Sequence, residues 1–195
     1  MNQTWKASDF VLIGLLAAVH AMVIYGVGML TAVLLPVMHI FAASITALIM
    51  GSVVLFAVKK IEHFGAFTLL LSLGTAFFTL TGMGSILCLI FVLAASLIAD
   101  FIISKTQFKT LIIGVGFGFS QAAYLFGGCF PFLFFLEREV QKWKNMGMGE
   151  EEIYSYVKYL TGGFAALGIL SAMVCGIFGI YIGKAILKKH FRNMD

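Results

Sequence analysis

The feature that most constrains this chain is a long stretch without charge near its beginning. No Asp, Glu, Lys or Arg occurs between Asp9 and Lys59. A helical membrane span needs about 20 apolar residues, so this stretch is long enough for two crossings. Pro36 marks the break between them, because proline interrupts the interior of a helix. The stretch therefore predicts an integral membrane protein with at least two adjacent spans.

The rest of the chain repeats this pattern. Of its 195 residues, 61% are hydrophobic and 11% are charged, whereas soluble domains carry about 25% charged residues. No strand alternation is visible, and helices are the other structure that satisfies every backbone group in lipid. We therefore predict an all-α, polytopic membrane protein that forms one membrane domain over residues 1–195. The short charged clusters leave no room for a soluble catalytic domain, and the net charge of +4 does not indicate a nucleic-acid partner.

The uncharged runs predict a compact bundle of six transmembrane helices. The expected spans are about 10–30, 37–58, 65–80, 84–104, 110–136 and 160–187.

Lys and Arg residues are unequally shared between the two sides of such a bundle. One side collects nine of them: Lys6, Lys59, Lys60, Lys105, Lys109, Lys184, Lys188, Lys189 and Arg192. The other side collects four: Arg138, Lys142, Lys144 and Lys158. Because basic loops stay inside, both termini are predicted to be cytoplasmic and residues 137–159 extracellular.

The extracellular segment is predicted to contain two short helices separated at Gly147 and Gly149. Three acidic residues begin the second helix, where carboxylates favour the helix dipole. Its apolar residues recur at helical spacing: Ile153, Tyr156, Val157 and Leu160. This face can rest on the bundle as a lid or lie in the lipid headgroups as an anchor, and the pattern does not distinguish the two.

A binding pocket is predicted in the outer half of the fifth span. Ser120, Gln121 and Tyr124 place hydrogen-bonding groups near the middle of the membrane, where unmatched polar groups are costly. They can serve a ligand, or they can join helices within the bundle. Gly127, Gly128 and Pro131 are expected to loosen the outer end of this helix, and irregular helix ends in membrane proteins often border ligand sites.

Three further residues complete the predicted substrate site: His39, Tyr25 and Tyr156. Few charges are expected there, so the predicted cargo is poorly charged and flat, with a vitamin, its precursor or a porphyrin all left open. No resident cofactor and no metal site are predicted.

Small residues in the first span predict a surface for close helix contact. Ala17, Ala18 and Ala21 form a shallow groove, and small residues at such spacing favour association of helices in lipid. The groove can pack within this chain's own bundle or dock a different protein. His20, between the alanines, is assigned to packing.

No enzyme signature is found in the sequence, so the chain is predicted not to be an enzyme. Cys88, Cys129 and Cys175 are scattered singly, unlike a redox or zinc site. No Walker loop is present, so a transporter of this sequence would need a partner to supply energy. An intramembrane enzyme acting on a lipid and a ligand-free structural subunit remain the alternatives.

Several short motifs resemble the Trep_Strep family of bacterial membrane proteins. They are the Ala17-x-x-x-Ala21 spacing, Lys59-Lys-Ile-Glu-His-Phe-Gly65, Pro131-Phe-Leu-Phe-Phe, Gly147-Met-Gly-Glu-Glu and Gly183-Lys-Ala-Ile-Leu-Lys-Lys-His-Phe191. That family is similar to the substrate-binding S components of energy-coupling factor (ECF) transporters. The resemblance implies a multi-pass protein of the bacterial cell membrane that captures a small micronutrient outside the cell. Its first helix would dock on a T component, and two ATPase subunits would drive uptake.

Overall fold

The computed structural model describes residues 4–34, 36–82 and 84–188. Within these ranges the chain forms nine helices: α1 (Ala7–Leu34), α2 (Pro36–His39), α3 (Ala42–Ile61), α4 (Ala66–Leu80), α5 (Ile86–Lys105), α6 (Thr110–Phe134), α7 (Leu136–Asn145), α8 (Glu150–Leu160) and α9 (Gly162–Leu187). The predicted all-α class is confirmed. The basic tail expected at residues 189–192 lies outside the described residues.

Five of the described helices are long and apolar enough to cross a membrane. The helix α4 has 15 residues, which at about 1.5 Å per residue is shorter than the hydrocarbon core of a bilayer. The chain is therefore a multi-pass membrane protein, and the count of six crossings stays a prediction. The predicted spans agree with the helices within a few residues, except that the first helix runs on to Leu34 and α3 begins only at Ala42.

Glycines bring α9 into backbone contact with α3 and α6. A Cβ atom added at Gly51 would strike the backbone of Gly179, and one added at Gly183 would strike Ser52, so α3 and α9 run parallel. A Cβ atom at Gly118 would strike Met173, whereas Gly114 lies near Ile177, so α6 runs antiparallel to α9. These contacts make α3, α6 and α9 the most closely packed part of the bundle.

The two ends of the bundle are formed by different parts of the chain. At one end, Trp5 contacts the ring of His63, with ring centroids 4.6 Å apart, and lies beside Gly65. At the other end, α6 leads into α7 and α8, which fold back over the bundle. Because α3 and α9 run away from that covered end, Lys59 and Lys184 lie at the end that carries Trp5.

The two helices predicted after the fifth span are confirmed as α7 and α8. Ile153, Val157 and Leu160 are buried on the bundle, as their spacing predicted. The expected loosening of the preceding helix is wrong: α6 stays helical through Pro131 to Phe134. The Phe135 N–H donates to the carbonyl of Pro131 at 2.7 Å, so this last turn remains closed.

Candidate functional site

A cavity of about 840 Å³ opens at the end of the bundle that α7 and α8 cover. Its walls come from α1 to α8 and from the turn between α4 and α5. Sites for small organic molecules usually measure about 300–1,000 Å³. The cavity is therefore the size of a small-molecule site, and α7 and α8 form its lid.

Aromatic rings line the underside of this lid in a continuous row. Phe132 of α6 contacts Trp143 of α7, with ring centroids 5.0 Å apart. Trp143 meets Tyr156 of α8 at 5.9 Å, and Tyr156 meets His39 of α2 at 6.2 Å. All four residues line the cavity. The rings meet edge to face, and the row offers apolar surface to an aromatic molecule.

Charged side chains also border the cavity, contrary to the prediction of few charges. Arg138 and Glu139 on the first turn of α7 and Lys142 on the next line the cavity wall. Glu139 and Lys142 form an ion pair at 3.6 Å. Within the described residues, the Arg138 guanidinium has no carboxylate within the 4.0 Å of an ion pair.

The structure brings together only part of the predicted substrate site. Tyr124, His39 and Tyr156 line the cavity. Tyr25 does not: 42% of its surface is exposed on the outside of α1. The sequence analysis did not predict that Arg138, Lys142 and Trp143 line the cavity. The available signal was the strong amphipathicity of the helix α7 that carries them.

Ser120 and Gln121 line a separate, much smaller space. They share a void of about 10 Å³ with His20, Thr75 and Tyr124. The Ser120 hydroxyl donates to the carbonyl of Gly116 within its own helix at 2.9 Å. The prediction that Ser120 and Gln121 belong to the main pocket is therefore corrected: Tyr124 alone among the three faces both spaces.

Comparison with known protein families identifies the family of this chain. The model of a family of hypothetical bacterial integral membrane proteins, Trep_Strep, matches residues 7–193. The chain is a member of the Trep_Strep family. No protein of curated function and no solved structure matches it significantly.

In this Trep_Strep protein, His20 is the most unusual buried group. It is 2% exposed, and neither ring nitrogen has a hydrogen-bond partner among the described residues. A void of about 10 Å³ is close to the space one water molecule needs, and the amide of Gln121 lines it as well. His20 of α1 and Gln121 of α6 thus border one small space between the two helices.

The outer face of α1 differs from the predicted alanine groove. Ala17 is fully buried in the chain's own core, so its assignment as a docking residue is wrong. Ala18 and Ala21 are partly exposed. Gly14, four residues before Ala18, has open space around it, since a Cβ atom there would meet nothing within 4 Å. The Trep_Strep protein thus presents Gly14 and Ala18 on an outward face that the described part of the chain leaves uncovered.

Proposed function

We propose that this chain is the S component of an ECF-type importer, which captures a small organic micronutrient outside the bacterial cell. The observation that carries the proposal is the cavity of about 840 Å³ beneath α7 and α8. It is large enough for a vitamin-sized compound. The predicted orientation puts its opening on the outer side, as capture requires.

The proposed partners are a T component in the membrane and two ATPase subunits. The outward face of α1 supports docking, because small residues let a second helix approach closely and packing is the main force between helices in lipid. Gly14 and Ala18 lie on that face at a spacing of four residues. Large apolar side chains flank them, with Leu15 63% and Met22 65% exposed.

We further propose that the chain is not itself an enzyme. Within the described ranges, no three His, Cys, Asp or Glu side chains come together in a group that could hold a metal ion. The cavity is lined mostly by apolar and aromatic side chains, which favour binding over chemistry. Energy for uptake would come from the ATPase subunits.

The test is co-purification with a tagged T component and ATPase pair from the same bacterium. We expect wild type to co-purify and Ala18→Trp to be lost from the complex, because the indole would fill the groove. Leu170→Trp on α9, where Leu170 is 60% exposed, is the matched control and should co-purify normally. Failure of wild type to associate, in detergent and in lipid nanodiscs, would refute the S-component proposal.

A further inference from the structure

The charges on the cavity wall are not balanced. The cavity is lined by two cations, Arg138 and Lys142, and by one carboxylate, Glu139. Lys142 already pairs with that carboxylate at 3.6 Å. The other charged residues of α7 are Glu137 and Lys144, and neither lines the cavity; Lys144 pairs with Glu150 at 2.8 Å. Arg138 therefore remains as a cation at the cavity without a carboxylate partner in the described residues.

Two long helices also begin at this cavity. The first residues of α3, Ala42 and Ala43, and those of α5, Ile86 and Leu87, line it. The first N–H groups of a helix lack partners within the helix and favour negative charge. Ser85 accepts the Leu87 N–H at 3.2 Å, whereas Phe41 at the start of α3 has no side-chain group to do so.

Helix ends of the opposite sign reach the cavity as well. The last turns of α4 and α6 border it at Phe78 and Phe132, and their carbonyl groups favour cations. The Thr81 hydroxyl donates to the carbonyl of Phe78 at 2.6 Å, and the Phe135 N–H donates to that of Pro131. A helix end carries only about half a unit charge, so the full charge on Arg138 decides the sign.

The remaining wall is apolar and largely aromatic. The aromatic row of Phe132, Trp143, Tyr156 and His39 faces it from the lid, and Leu125 and Ala43 lie on the side of the bundle. We propose that the cavity binds a small amphipathic anion with a flat apolar body and one carboxylate or phosphate group. The anionic group lies at Arg138, and the body lies along the aromatic row.

This inference rests on the proposed function, because it takes the cavity as the cargo site, and it replaces the poorly charged cargo predicted from the sequence. Arg is suited to the task, since its planar fork binds carboxylate and phosphate through two parallel hydrogen bonds.

The test uses four probes that share one flat body: naphthoate and naphthyl phosphate as anions, naphthamide and naphthol as neutral counterparts. Their binding to the purified, isolated protein is measured by equilibrium dialysis in a nonionic detergent. We expect each anion to bind at least about tenfold more tightly than its neutral counterpart, because a charge-assisted bond replaces a neutral one. The anion that binds more tightly tells carboxylate from phosphate.

The variant Arg138→Gln is expected to remove most of this preference. Lys158→Gln is the control, since it removes one positive charge from the lid at an exposed residue that does not line the cavity. It should change anion binding by no more than about twofold. Equal affinity for anions and neutral probes, the same loss in both variants, or no binding of any probe at about 1 mM would each overturn the inference.

The outcome is separable from that of the proposed function, because dialysis uses the isolated chain without its partners. Anion binding that depends on Arg138, together with no association with a T component, would leave the anion site and refute the S-component role. Association with a T component, together with equal binding of neutral probes, would support the S-component role and refute the anion site.

Discussion

Asp100 of α5 accepts two hydrogen bonds from Thr68 of α4, one from its N–H at 3.0 Å and one from its hydroxyl at 2.9 Å. The same oxygen, Oδ2, also accepts the Gly65 N–H at 2.9 Å. Gly65 stands at the N-cap of α4 in a left-handed conformation and has no side chain to cap the helix. Asp100 therefore caps α4 from the neighbouring helix, a role that its position near the end of its own span did not reveal.

Replacing Asp100 by Ala should destabilise the bundle by about 1–3 kcal/mol, because buried N–H groups at the start of α4 would lose their acceptor. Asp100 is fully buried, and the Thr68 N–H that it accepts is buried with it. Thermal unfolding in detergent measures the change. The control is Asp9→Ala, which removes an exposed acceptor of the Lys6 N–H and should cost less. Equal stability of the two variants would contradict the capping role.

Replacing Gly179 by Ala should cost about 1–3 kcal/mol, because the added methyl group would collide with the backbone of Ala47 and α3 would have to move. The same change at Gly26 is the control, since a Cβ atom there meets nothing within 4 Å. Gly26→Ala should be neutral or stabilising, as alanine is the better helix former. Thermal unfolding of the two variants side by side tests the close packing of α3 and α9; similar melting curves would disprove it.

Tyr124→Ala should weaken binding of naphthoate by about tenfold, because Tyr124 supplies part of the cavity wall. Gln121→Ala, three residues away on α6, should change it by no more than about twofold, since Gln121 faces the small void behind the wall. Equilibrium dialysis gives both affinities. A larger loss for Gln121→Ala would move the cargo site toward His20 and away from the cavity.

Orientation in the membrane can be tested with single cysteines. In a variant whose three native cysteines are replaced by serine or alanine, Met146→Cys should react with an impermeant maleimide on intact cells. Phe64→Cys should react only after the cells are opened. Both native side chains are exposed, at 67% and 48%, so access within the protein is not the difference. The reverse labelling would put the cavity on the cytoplasmic side.

The helices were predictable because long uncharged runs leave few alternatives in lipid. The lid helix α8 was predictable as well, since Ile153, Val157 and Leu160 recur with a helical period and all three are buried. The spacing of apolar residues along one helix shows which of its faces will be buried. It does not state which other element the apolar face will meet.

Most of the wrong predictions have one cause: the sequence does not show how each helix is rotated about its own axis in the bundle. Ala17 and Ala18 are adjacent in sequence but about 100° apart around α1, and only the packing of α1 against α4 turns the first inward and the second outward. Arg138 was predicted only to lie on the extracellular side, and its place on the cavity wall was not predicted. The cavity wall that it joins is assembled from helices far apart in the sequence, which no local pattern records.

The two lid helices are held to each other and to the bundle as one body. Lys144 pairs with Glu150 across the turn between them, Trp143 meets Tyr156, and Val140 and Ile153 share one buried cluster with Leu125. The cover cannot peel back one helix at a time without exposing that cluster to water. Any opening of the cavity that displaces this cover must therefore move α7 and α8 together.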